Sequence, residues 1–169
     1  SPESAISPAD IMQGGLGDCW FMCSLASVAE FPKMISALFV TDEYDTNGLH
    51  RVRFFKNGCW HEVTVDDFFP CFRDRGPVFS RVNGDELWVL FLEKAYAKLH
   101  GCYENLAHGC VERGLRDLTS WPTFKHELAT DDGTLWDTVA SYLRQPQSLL
   151  CLEFSGPGRP GDGIIAGHA

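Results

Sequence analysis

The stretch from Gln13 to Phe21, QGGLGDCWF, runs three glycines into an apolar and small-residue run, CWFMCSLASVAEF, that Pro32 stops. Apolar or small side chains at nearly every position of residues 19 to 31 read as a helix buried on most of its surface, so the chain must build a core around it. The loop in front is short of side chains and delivers one thiol, Cys19, to the point where loop becomes helix. A thiol at a helix N-terminus meets exposed N–H groups and the positive end of the helix dipole, which favour the thiolate, the nucleophilic form. Cys19 is therefore the first candidate for chemistry.

Around that helix the sequence supplies both strands and helices. Residues 49 to 67 read as a hairpin, because RVRFFK and CWHEVTV are rich in β-branched and aromatic residues and Asn57-Gly58 suits a tight two-residue turn. DELWVLFLEKAYAKL, residues 85 to 99, places Leu87, Leu90, Phe91 and Leu99 on a helical stripe, with Asn83 or Asp85 as cap and Gly101 as stop. A mixed, glycine-containing segment follows, then a shorter helix near 135 to 144 and an apolar strand candidate from Ser148 to Phe154. The expected division is a first lobe over residues 1–112 and the beginning of a second over 113–169. Too few strands follow the boundary to complete a sheet of the usual ~4–6, so the chain is expected to be a piece of something longer.

The formal charge of −9 argues against a nucleic-acid partner, which needs clustered Lys and Arg. No run of roughly 18 or more apolar residues occurs, so no membrane span is read. Seven cysteines, at 19, 23, 59, 71, 102, 110 and 151, are an odd number and fit a reduced, cytoplasmic setting better than a disulfide framework.

Amide hydrolysis by cysteine needs a thiolate, an imidazole to share its proton, a group orienting that imidazole, and donors facing the developing oxyanion. Cys19 is the candidate nucleophile and His168 the candidate acid and base, 149 residues apart, near the roughly 130–150 of papain-like enzymes. Gln13, six residues before the thiol, can turn an amide donor toward the same point as the Cys19 backbone N–H. The residues offer no candidate for the orienting group.

QGGLGDCWF followed by a small-residue helix resembles the cysteine motif of the calpain proteases. VTVDD at 63 to 67 is similar to that family's strand-to-loop segment, DELW followed by LEKAYAKLHGCYE at 85 to 104 to its central helix, and GHA at 167 to 169 to its histidine motif. The likeness runs from about Asp10 to the last residue and has its motifs in order. It implies an α+β, papain-like fold with a two-lobed calpain core whose second lobe is truncated here. It also implies a calcium requirement, limited cleavage of protein substrates, and a catalytic Cys, His and Asn, with other domains elsewhere in a longer polypeptide. Cys19 and His168 carry over by position, and Gln13 matches the oxyanion residue. The family's Asn lies in an Asn-Pro-Trp segment beyond this chain, so the 169-residue piece alone is expected to be inactive or nearly so.

Calcium is likewise implied by the likeness: calpain cores bind one ion per lobe, and the first-lobe carboxylates fall on Asp10 and Glu86. Taken by themselves, Asp10 could cap a turn and Glu86 could sit in the first turn of a helix. Many calpains have an Arg two residues before the position of Asp10, which latches the lobes together; here Pro8 stands there, so that latch cannot form in the same way. Two other readings stay open. HGCYENLAHGC, residues 100 to 110, has two His-x-Cys pairs that could hold zinc, and a calpain-like module without turnover could serve as a binding scaffold. Trp20, Trp60, Trp88, Trp121 and Trp136 read as core residues, with Trp20 the one to watch as a subsite wall; Cys23 reads as packed inside, or as a resolving thiol for Cys19.

Overall fold

The computed structural model describes residues 6–41, 45–81, 84, 86–127, 133–154 and 156. The apolar run after the glycine loop forms α1 (Cys19–Ala29). Pro32 ends that run by opening a second, short helix, α2 (Pro32–Ser36), since a proline in a first turn lacks only an N–H that the turn leaves unpaired. Trp20, Phe21, Met22, Leu25, Val28 and Ala29 are buried, so α1 is the centre of the core the sequence demanded.

The hairpin forms as expected from β1 (Leu49–Lys56) and β2 (Cys59–Asp66), antiparallel, with Lys56 opposite Cys59. Asn57 and Gly58 both take positive φ, 51° and 84°, as a two-residue turn with right-handed strand twist requires. Alternation along the strands turns Val52, Phe54, Val63 and Val65 into the core. Residues 38–40 run along the other edge of β1, where Val40 N–H donates to Arg51 O and Arg53 N–H to Leu38 O, each at 2.8 Å. A small ladder of β3 (Cys71–Phe72) and β4 (Gly76–Pro77) then leads into residues 78–81.

The central helix, α3 (Trp88–Leu99), starts later than the stripe of Leu87, Leu90, Phe91 and Leu99 suggests. Leu87 occupies the N-cap position without a side-chain hydrogen bond and is 45% exposed, whereas Trp88 through Glu93 are all buried. α3 is covered on nearly every side, by β2, β1 and the Phe21 ring stacked on Tyr96 at 4.1 Å, and a single apolar stripe cannot describe such a helix. The expected caps Asn83 and Asp85 lie outside the described residues. Gly101, at φ 102°, follows the helix end as expected.

α4 (Val111–Thr119) packs on α1 and β1, and the expected lobe division after residue 112 falls inside it. Gly109 and Gly114 allow this approach: a Cβ on Gly109 would stand 2.2 Å from the Trp20 ring, and one on Gly114 2.3 Å from Ser24 Oγ. α5 (Leu135–Leu143) forms where a helix was expected and buries none of its residues. Within the segment expected as a strand, Ser148 to Phe154, Phe154 takes part in a single β-bridge, and Leu149 and Cys151 pack against the core. Apolar content marks such a segment for burial, but only a neighbouring backbone makes it a strand. No described helix is long and apolar enough to cross a membrane.

Candidate active site

Cys19 is the first residue of α1 and is partly exposed, so the thiol stands at the helix N-terminus as the sequence requires. The loop before it is fixed by backbone contacts to residues 78–81. Gly15 N–H donates to Val78 O at 2.9 Å, and Arg81 N–H donates to Met12 O at 2.8 Å. Between these bonds the two backbones approach so closely that a Cβ on Gly14 would lie 1.4 Å from Phe79 O. The glycines thus let the loop lie flat on a second segment, which sets the direction from which α1 begins.

Gln13 sits on the exposed face of this loop, and its Nε2 donates to Leu16 O at 2.7 Å. That bond uses one of the two amide N–H groups, and the same amide stands beside the Asp18 carboxyl. His168 lies outside the described residues, so of the expected pair only the thiol has a described position. Asp10 ends a single 3-10 turn (Pro8–Asp10) and does cap it: Asp10 Oδ2 accepts from Ser7 N–H at 2.8 Å, and also from Trp88 Nε1–H at 3.0 Å. The Trp88 indole thereby ties the start of α3, two residues after Glu86, to Asp10. Both donors go to Oδ2, and among the described residues none is seen at Asp10 Oδ1, a hard oxygen of the kind Ca²⁺ takes alongside backbone carbonyls and water. No group of three or more His, Cys, Asp or Glu side chains gathers among the described residues.

Sequence reasoning passed over two buried carboxyls, one of them adjoining the thiol in the chain. Asp18, immediately before Cys19, and Glu93, inside α3, are 0% and 2% exposed. Asp18 holds the N-cap position of α1, yet its side chain accepts no helix N–H. Glu93 Oε2 accepts from Ser80 N–H at 2.9 Å and from Ser80 Oγ–H at 2.5 Å. Burial, and then the neighbouring Glu93 charge, push the Asp18 carboxyl well above the ordinary range; burial also raises Glu93, against the pull of the Ser80 donors. The signal for Glu93 was present in VLFLEKAYA, a lone acid among apolar residues on both sides.

The zinc reading of residues 100 to 110 meets a different arrangement. His100 Nε2 stands 2.8 Å from Lys56 Nζ, so it accepts, and Nδ1 carries the proton that it donates to Tyr96 O at 2.9 Å. Lys56 also pairs with buried Asp117 at 2.8 Å, and Tyr96 Oη–H donates to the same carboxylate oxygen at 2.8 Å. Both nitrogens of this imidazole are engaged, and burial, with Lys56 adding to it, lowers the His100 pKa. Trp20 is core rather than a subsite wall, its Nε1–H donating to Leu106 O at 2.8 Å, and Trp88 is buried too. Trp60 and Trp136 depart from the core reading at 41% and 76% exposed. Cys23, one helical turn from Cys19, interacts most strongly with Cys151, which pushes Cys23 up and draws Cys151 down, and Cys151 Sγ lies 2.8 Å from Ser27 Oγ.

The sequence model for calpain family cysteine proteases matches residues 3–169. The chain belongs to the calpain family. It is 38% identical over 185 residues to the calpain-type cysteine protease DEK1 of Zea mays, an alignment covering 99% of this chain and 8% of that protein. Calpain-8 of Mus musculus is 36% identical over 145 residues, 84% of this chain and 21% of its own length. A calpain of Schistosoma mansoni is 38% identical over 170 residues, 95% of this chain and 22% of its own. The chain thus spans less than a quarter of the length of these curated relatives. Its mixed helix-and-strand architecture is that of the calpain protease core, α+β and papain-like, and at the level of the family the chemistry is that of a cysteine peptidase.

Proposed function

We propose that the chain carries the nucleophilic part of a calcium-dependent, cytoplasmic cysteine endopeptidase that makes limited cuts in protein substrates. What supports this reading most is the position of Cys19, a partly exposed thiol at the start of a buried helix, behind a loop held rigidly against residues 78–81. In the reaction the Cys19 sulfur attacks the substrate carbonyl carbon while His168 takes the thiol proton. The tetrahedral oxyanion is met by the Cys19 backbone N–H and the Gln13 amide, His168 returns the proton to the leaving amine, and water then hydrolyses the thioester. The orienting Asn comes from sequence beyond this chain. Asp10 and Glu86 would be the residues to hold a Ca²⁺ ion, which would supply positive charge to the turn before Gln13 and to the segment leading into α3.

The test is calcium-dependent cleavage of a fluorescently labelled, unfolded protein by the full-length polypeptide. Cys19→Ala and His168→Ala each reduce turnover at least ~10³-fold with the fold kept, since Cys to Ala changes little volume. Retained cleavage in either variant contradicts the assignment of that residue.

A further inference from the structure

Three buried carboxyl oxygens make no well-formed hydrogen bond among the described residues: both of Asp18, which only its own backbone and the Gln13 amide approach as donors, and Oε1 of Glu93. Such groups are rare in folded proteins, because a buried anion with no partner is costly. No cation among the described residues answers them. Lys94, the neighbour of Glu93, points away to Asp66 Oδ1 and to the Asp66 and Phe68 carbonyls. The other groups facing the pair are the neutral Gln13 amide beside Asp18 and the Tyr103 phenol beside Glu93, from the 3-10 turn Tyr103–Leu106; Cys19 adjoins Asp18 in the chain. Phe69, Phe79 and Leu90 line the small crevice next to Glu93, so its surroundings are largely apolar.

One proton satisfies this arrangement. Placed on Asp18 and donated to Glu93, it removes one buried charge and gives Glu93 Oε1 its donor, while Ser80 already holds Oε2 in ionised form. We propose that Asp18 and Glu93 hold a single proton between them and act as positioning residues for Cys19, keeping the carboxyl next to the nucleophile neutral so that the thiolate faces one distant anion instead of an adjacent one. The proposal rests on the reading of Cys19 as the nucleophile. It also accounts for a carboxyl at the N-cap of α1 that does not accept from the helix: its hydrogen is directed toward α3, tying the start of α1 to the centre of the core.

The experiment has two independent readouts on the full-length protein. Infrared spectroscopy of the wild type at pH 7 shows the carbonyl stretch of a neutral carboxylic acid, which fades as pH rises and is missing in Asp18→Asn. Separately, the pH profile of Cys19 carbamidomethylation by iodoacetamide is followed by peptide mass spectrometry. In Glu93→Gln the new amide donates to Asp18 and lets it ionise beside the thiol, so labelling at pH 7 slows roughly tenfold, equivalent to one pH unit. Asp18→Asn, and the double variant Asp18→Asn with Glu93→Gln, label within about twofold of wild type. A role confined to stability does not predict that the double variant recovers. Absence of the neutral-acid signal in the wild type, or its persistence in Asp18→Asn, overturns the shared proton, as does a double variant as slow as Glu93→Gln. Failure of the wild-type Cys19 to react at all strikes instead at the nucleophile reading, while the infrared result still decides the carboxyl pair.

Discussion

Gly14 faces the Phe79 carbonyl across a gap that has no room for a methyl group: a Cβ would stand 1.4 Å from the oxygen. The contact is between two backbones, so neither a rotamer change nor a small side-chain shift can relieve it. It is also the point at which the loop carrying Gln13 and Cys19 is pinned.

Gly14→Ala therefore separates the loop from residues 78–81. The expected cost is about 3 kcal/mol, with loss of the Gly15 to Val78 hydrogen bond. Thermal unfolding and turnover should both fall, and turnover should fall even at temperatures where the variant is folded. A variant that unfolds and cleaves like wild type contradicts this packing.

The buried cluster of Lys56, Asp117 and Tyr96 is expected to matter more for stability than any surface ion pair, because Asp117 is only 3% exposed at its side chain. Lys56→Met leaves that carboxylate with the Tyr96 hydroxyl and the half-exposed Arg116, whose Nε is 4.0 Å away, and is expected to cost about 3 kcal/mol. Arg51→Ala breaks an ion pair with Glu62 whose partners are both about half exposed, and should change stability by less than ~1 kcal/mol. Chemical denaturation of the two variants checks the contrast.

His100 gives the same cluster a pH dependence. Its folded pKa is lowered, chiefly by burial, so the unfolded chain binds a proton more readily than the folded one. The stability it contributes is complete above the unfolded value of ~6.5 and is lost as pH falls through the lower folded value. His100→Gln, compared with wild type by denaturation across that window, should flatten the decline; an unchanged slope contradicts the neutral tautomer assigned to it.

Asp10→Asn separates structure from calcium. The amide oxygen can still accept from Ser7 N–H and Trp88 Nε1–H, so the fold should be kept, while the charge offered to a cation is gone. The calcium concentration for half-maximal activity of the full-length protein is expected to rise about tenfold, and Glu86→Gln should act in the same direction. Unaltered calcium response in both variants contradicts their role as ligands.

Much of this architecture could be read from local chemistry. The glycine loop and apolar run specified α1, and Asn57-Gly58 specified a hairpin whose register the structure repeats residue by residue. What failed was whatever depended on a distant partner. Leu87 looked like part of a stripe because a single buried face was read for α3, which is covered on nearly every side. At the site, Cys19 announced itself through its position in the loop, whereas the pairing of Asp18 with Glu93, 75 positions along the chain, exists only after α3 is laid against α1. Asp10 was legible as a cap, but its bond to Trp88 was not.

The central claim is that Cys19 is the nucleophile. It is tested most directly by treating the full-length protein with an epoxysuccinyl inhibitor, with and without calcium, and locating the adduct by peptide mass spectrometry. A calcium-dependent adduct on Cys19, in preference to the other six cysteines, is the predicted result; an unmodified Cys19 at every calcium concentration contradicts the account.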